Sequence, residues 1–176
     1  MENPFHLLSR RELFRDNYIR LLQDRVRRPN GTQSDFTFLH IKSGVAVLPI
    51  TEYGEVYLVR EWKYALDRPS LEVMGGGIEE GESLLDSAKR ELREEGGLVA
   101  EEWIALGHIN PFTSMVDASI HLYLASHLQQ VKPEPEEGEV LEIVKMSLAE
   151  AVAKVVGGEI TQSGSVAVIL RAAMRD

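Results

Sequence analysis

Glutamate and glycine recur at fixed intervals between Gly76 and Leu98 (GGIEEGESLLDSAKRELREEGGL), and this spacing confines the segment to a loop, a helix and a second loop. Ser83 is placed to cap the helix, with Asp86 three residues on as a weak capping box. Leu84, Leu85, Ala88 and Leu92 recur at the interval that turns one helical face toward a core. Gly96 and Gly97 stop the helix, because glycine accepts the left-handed backbone of a C-cap. Glu91 and Glu95 then stand one turn apart on one face, with Glu94 beside them. Like charges at that spacing repel, and carboxylates in a last turn oppose the negative end of the helix dipole. Each misplacement costs about a few tenths of a kcal/mol at an exposed site. Two readings follow. The run is a solvated acidic face, or it holds a hard divalent cation such as Mg²⁺ or Mn²⁺, which prefers oxygen ligands and bridges carboxylates to phosphates.

The full pattern separates these readings. Gly76, Glu82, Arg90-Glu91-Leu92, Glu94-Glu95, Gly97 and Leu98 resemble, position by position, the signature box of the Nudix hydrolases. The resemblance implies an α/β fold, an α/β/α sandwich around a mixed sheet, with the box as its loop–helix–loop. It also implies metal-dependent hydrolysis of a diphosphate linked to another moiety. By the same resemblance Glu91 and Glu95 would be the main metal ligands and Glu94 a further ligand or a base. Arg90 would hold Glu82 and the metal-binding glutamates in place by ion pairing. The backbone carbonyl of Gly75 would complete the metal shell.

Composition sets wider bounds. A chain of 176 residues suits one domain with a sizeable core, and 44% hydrophobic and 27% charged residues are ordinary for a soluble protein. A net charge of −9 disfavours nonspecific nucleic-acid binding but not an anionic substrate, since bound metal ions can dominate the local field. With no cysteine there is no disulfide framework, thiolate metal site or cysteine nucleophile. The N-terminal MENPFHLLSRRELF has no sustained apolar run of a signal peptide, and no segment approaches a membrane span. The expectation is a cytoplasmic protein that engages neither membrane nor nucleic acid.

Along the chain, 17–28 and 35–42 read as an N-terminal β-hairpin around the Pro29-Asn30-Gly31 turn. Strands are expected at 44–50, 55–61, 103–107, 120–127 and 140–146, with loops at 110–118 and 131–139. Ser147 and Glu150 open a helix ending near Gly157-Gly158, and a last helix runs over 163–174. The expected division is a hairpin extension over 1–42 and a catalytic domain over 43–176.

Several of these features resemble the ADP-sugar pyrophosphatase branch of the family. They include the N-terminal hairpin with Arg28-Pro29-Asn30-Gly31, the strand end Val59-Arg60-Glu61-Trp62-Lys63, and the box lead-in Leu71-Glu72-Val73-Met74-Gly75-Gly76. Lys63 stands where the family usually has arginine, and lysine contacts a phosphate as a point charge without the bidentate clamp. Met74 replaces a usual proline, and Asn110-Pro111-Phe112-Thr113-Ser114 departs from a Pro-Gly-like loop. In that branch a loop glutamate activates the attacking water; one register assigns it to Glu139 and another to Glu137, with Glu94 as the competing base. The branch exchanges its hairpin across a homodimer, which would carry Arg27 and Arg28 toward the partner's site. Arg28, Arg60, Trp62 and Lys63 are the candidate substrate contacts, against an ordinary reading of Trp62 as core or interface and the arginines as surface charge. The expected reaction is Mg²⁺-dependent cleavage, with Mn²⁺ able to substitute, of a nucleoside diphosphate sugar, ADP-ribose foremost. GDP-mannose, another nucleoside diphosphate derivative, or a non-catalytic metabolite-binding role on the same fold are the alternatives.

Overall fold

The computed structural model describes residues 1–134 and 140–175. Strands β1 (His6–Arg15), β2 (Ile19–Arg27) and β3 (Gln33–Ile41) come first, then β4 (Gly44–Pro49), β5 (Glu55–Lys63) and β6 (Arg68–Glu72). Helix α1 (Leu84–Gly96) precedes β7 (Leu98–Ile109), β8 (Val116–Asp117), β9 (Ile120–Gln130) and β10 (Glu142–Ser147). Helices α2 (Leu148–Val156) and α3 (Ser163–Ala173) come last. The chain divides into two units, one of Met1–Lys42 with Asn110–Ser119, the other of Ser43–Ile109 with the chain from Ile120 onward.

In the first unit β1, β2 and β3 form an antiparallel meander, and the two-residue β8 lies parallel to β3. β2 and β3 occupy the two stretches read as a hairpin. Their turn uses Gly31 at φ +83°, whose N–H donates to the Arg28 carbonyl at 2.9 Å; only glycine takes this backbone without strain. Strand β1 lies outside the hairpin expected from sequence. All ten of its residues are exposed, and its register against β2 slips at Leu7/Ser9 and Glu12/Phe14. No period-two burial pattern therefore marks it. Ion pairs add to its backbone pairing with β2. Arg10 makes two bonds to Asp24 at 2.6 and 2.7 Å, and Glu12 accepts from Arg15 at 2.9 Å and Arg20 at 2.8 Å.

The second unit is built on β4. Val45 to Pro49 are buried on both faces, which an apolar run of this length reaches only between two layers. β4 pairs parallel with β9, and β7 pairs antiparallel with β9. A second, antiparallel sheet has the order β10-β5-β6. Single bridges at Val47/Met74 and Ile50/Val56 tie β4 to the lead-in of the box and to β5. The mixed sheet implied by the resemblance is thus one mixed and one antiparallel sheet of three strands each. Strand alternation sends Val45 and Val47 with Tyr123 and Ala125 to one side, where Ala88 and Leu92 of α1 cover them. Ala46 and Leu48 with Leu122 face the other side and meet Ala151 of α2 and Val168, Ile169 and Ala172 of α3. Each fully buried valine, leucine or isoleucine among them contributes about 1.5–3 kcal/mol. This is the expected α/β/α sandwich.

Local signals set the helix ends. Ser147 caps α2 by accepting from the Glu150 N–H at 3.1 Å. Gln162 caps α3 by accepting from Ser165 N–H at 2.6 Å. The buried Ser165 hydroxyl in turn accepts from the Val73 N–H at 3.0 Å, fixing the backbone just ahead of Gly75 and Gly76 to α3.

Candidate active site

Helix α1 begins and ends where its sequence dictates. The Ser83 hydroxyl accepts from the Asp86 N–H at 3.1 Å, and Gly97 closes the helix at φ +58° with its N–H on the Arg93 carbonyl at 3.1 Å. The buried arc of α1 comprises Ser87, Ala88, Glu91 and Leu92. Leu84 is 38% exposed and does not join the core face expected of it, because that arc is centred a turn further on. The arc therefore takes in a carboxylate. Glu91 is only 7% exposed, at the boundary between core and site.

Arg90 organises the cluster around it. Its Nε donates to Glu82 Oε1 at 3.0 Å, and Nη1 donates to Glu91 Oε1 at 2.7 Å and Glu94 Oε2 at 3.0 Å. Nη2 reaches the Gly77 carbonyl at 2.9 Å, Glu82 Oε2 at 3.2 Å and the Ser87 hydroxyl at 3.3 Å. One planar fork thus binds three carboxylates and the loop backbone, which suits guanidinium geometry and no other cation. The hydrogen bond to Glu82, with the charge of Glu91 and the hydrogen bonds to Glu94 and Glu91, raises the Arg90 pKa despite partial burial. The hydrogen bond from Arg90 also holds the Glu82 carboxyl below its ordinary range. Arg90 thus ion-pairs with Glu82, Glu91 and Glu94. The Gly77 carbonyl and Ser87 hydroxyl are partners that sequence reading missed; both lie within the box, but its spacing does not say which way they point.

The glycines of the loop are required by close approach. A Cβ on Gly76 would lie 2.7 Å from the Glu91 carboxylate carbon, and one on Gly75 would run into the Val45 carbonyl, 3.1 Å from its carbon. The Gly75 N–H donates to Glu95 Oε2 at 2.8 Å, which ties the second box glutamate to the loop. Gly77, Glu82, Glu91 and Glu94 are thereby joined through Arg90, and Glu95 is joined to Gly75.

The remaining candidates are distributed as follows. Lys63 pairs with Glu61 and lies 3.7 Å from Glu72 Oε2. Burial lowers the pKa of its ammonium, but the hydrogen bond to Glu61 and the charges of Glu72, Glu61 and Glu95 outweigh that and raise it. Arg60 pairs with Glu142 at 2.8 Å across β5 and β10, and Trp62 is 57% exposed, so it is not a core residue. Arg28 belongs to the first unit, where its guanidinium lies 5.3 Å from the Phe36 ring centroid and its Nε donates to Ser34 at 2.8 Å. Glu137 and Glu139 lie outside the described residues.

The donors offered here are carboxylate and carbonyl oxygens, with no sulfur and no imidazole, and that set suits Mg²⁺ or Mn²⁺. Among the described residues no three His, Asp or Glu side chains already converge as a metal cage. The fit to a hard cation therefore lies in donor chemistry and in Glu91 filling the space that Gly76 leaves open.

The NUDIX domain profile matches residues 40–162, and the profile of the nucleoside diphosphate sugar hydrolase N-terminal domain matches residues 5–39. An ADP-ribose pyrophosphatase of Bacillus subtilis (strain 168) is 28% identical over 155 residues, spanning 87% of this chain and 84% of that protein. An ADP-ribose pyrophosphatase of Mycobacterium tuberculosis (strain ATCC 25618 / H37Rv) is 30% identical over 172 residues, spanning 96% of this chain and 83% of that protein. The crystal structure of an ADP compounds hydrolase superposes with a TM-score of 0.85 at 20% identity, covering 97% of this chain and 93% of that one, a likeness of fold. With the box intact, Glu82, Glu91 and Glu94 gathered on Arg90, and the NUDIX profile running from β3 to the start of α3, this chain belongs to the Nudix hydrolase family.

Proposed function

We propose that this hydrolase cleaves the diphosphate of a nucleoside diphosphate sugar, with ADP-ribose the preferred substrate, and releases a nucleoside monophosphate and a sugar phosphate. The observation that carries the reading is the pairing of an intact box network with an N-terminal region matching a nucleoside diphosphate sugar hydrolase domain. The names of the two pyrophosphatase relatives support the choice of ADP-ribose. Glu91, Glu95, Glu94 and the Gly75 carbonyl would hold Mg²⁺, or Mn²⁺ in its place. When bound, such an ion neutralises diphosphate charge and acidifies water. Arg90 keeps Glu82, Glu91 and Glu94 aligned, so the carboxylates need little reorganisation when substrate arrives. Glu139, Glu137 or Glu94 takes the proton of the attacking water. Arg60, Trp62 and Lys63 are proposed substrate contacts. For Lys63 this requires exchanging Glu61 or Glu72 for a phosphate.

The working form is proposed to be a cytoplasmic homodimer, in which Arg28 serves the partner's site. Its support is β1, a strand at the edge of its sheet that leaves Leu7, Leu8, Leu13 and Phe14 at the surface of the single chain. No described helix is long and apolar enough to cross a membrane.

The test is hydrolysis of ADP-ribose, ADP-glucose, GDP-mannose, NADH and diadenosine polyphosphates with Mg²⁺, coupled to a phosphatase and run against EDTA blanks. ADP-ribose should be cleaved fastest, and Glu95→Gln should remove turnover while leaving the circular dichroism spectrum unchanged. Near-normal turnover by that variant would refute the metal assignment, and preference for another class would refute the substrate.

A further inference from the structure

His108 and His121 form a second cluster of potential ligands, and the sandwich assembles it from distant parts of the chain. They are cross-strand partners on β7 and β9, with ring centroids 5.7 Å apart and planes tilted by 42°. A β-bulge creates the pair. From the Ala105/Tyr123 pair onward, β9 advances two residues to His121 while β7 advances three to His108. Without that extra residue Gly107 would stand opposite His121. The bulge is fixed by Gly107 at φ +85° and by Arg171 of α3, whose guanidinium donates to the Leu106 carbonyl at 2.6 Å and the His108 carbonyl at 3.4 Å. Among the described residues neither imidazole makes a side-chain hydrogen bond, and no polar side-chain atom is both sealed from solvent and unpartnered. His108 is exposed and His121 half-buried, so both rings can be reached from solvent.

The separation of the ring centres suits a shared metal ion. With a metal–nitrogen bond of about 2.1 Å and a ring centre about 1.1 Å behind the nitrogen, two imidazoles on one tetrahedral or trigonal ion have centres about 5.2–5.6 Å apart. The observed spacing lies within a few tenths of an ångström of that range. Imidazole suits borderline first-row ions and is a poor partner for Mg²⁺, so this donor set differs from the all-oxygen set on α1. Burial and the neighbouring His108 both lower the His121 pKa, which keeps the neutral, ligating form available.

We propose that His108 and His121 bind a borderline transition-metal ion such as Zn²⁺ or Ni²⁺, with water completing its shell, at a site distinct from the box carboxylates. The ion clips β7 to β9 beside the box. His121 pairs with Val45 of β4, and the Val45 N–H donates to the Gly76 carbonyl at 2.9 Å.

The test is isothermal titration of the full chain with NiCl₂ and with ZnCl₂ in saturating Mg²⁺, paired with thermal melting. The wild type should bind about one ion tightly enough to raise its melting temperature. His108→Ala and His121→Ala should each weaken that binding tenfold or more. His127→Ala, which removes an exposed histidine 3.4 Å from Glu102, should leave binding unchanged. Absence of binding by the wild type, or equal binding by wild type and His108→Ala, would overturn the proposal. Because His108 is exposed, its replacement leaves the core intact. The readout uses no substrate, so the result is independent of the hydrolase assignment.

Discussion

Gly76 shows how narrowly the site is built. A methyl group there would lie 2.7 Å from the carboxylate carbon of the buried Glu91, and that carboxylate is also bonded to Arg90 at 2.7 Å. Gly76→Ala should therefore displace Glu91, destabilise the fold by about 1–3 kcal/mol as overpacking does, and lower kcat by roughly 10²-fold, the scale set by misplacing a reacting group. Urea denaturation and steady-state kinetics on ADP-ribose check the two effects separately. The shared face of Glu91, Glu94 and Glu95 was legible in the sequence because a helix is local and spacing fixes which side chains lie together, whereas Gly76 and Arg90 were singled out by the resemblance of the box. The partners of Lys63 were not legible. Glu61 lies two residues away in the same strand, but Glu72 arrives only through the β5–β6 register, which no short-range pattern states.

At the scale of elements, ion pairs add to the ladder that joins β1 to β2, and part of its stability should follow them. Hydrogen bonds from Arg15 and then Arg20 lower the Glu12 carboxyl from its ordinary 4.5 to about 2. The hydrogen bond from Arg10 lowers Asp24 as well. A carboxyl with a depressed pKa contributes stability above its unfolded value and loses it as pH falls through the folded one. The β1–β2 pairing should thus be intact at pH 5 and loosen progressively from about 4.5 toward 2. Amide resonances of His6–Arg15 should disperse less over that range while those of β4 hold. Retention of β1 dispersion at pH 2 would show that the backbone ladder alone suffices. The same strand marks the limit of reading elements from sequence. β4, β9 and the three helices carry buried periodicity or caps, whereas β1 is wholly exposed and broken by two register slips. β8 spans two residues and exists only because β3 lies beside it.

For the whole molecule, the proposed dimer predicts a mass. Light scattering after size exclusion should give twice 19.7 kDa for the wild type, and Leu7→Lys with Leu13→Lys should shift it toward 19.7 kDa. Both leucines are about half exposed in the single chain, so the charges disturb no core within it. A monomeric wild type would remove the proposed role of Arg28 in a partner's site. One aspect of the connectivity bears on how such a protein can change over time. The first unit is not a simple prefix, since Asn110–Ser119 leaves the sandwich between β7 and β9 to supply β8 beside β3. Grafting residues 1–42 onto another sandwich would transplant a sheet lacking its fourth strand, and deleting them would strand an insertion with nothing to pair. Recombination at a single breakpoint cannot move this unit intact, so the extension and the insertion have to be inherited as a pair.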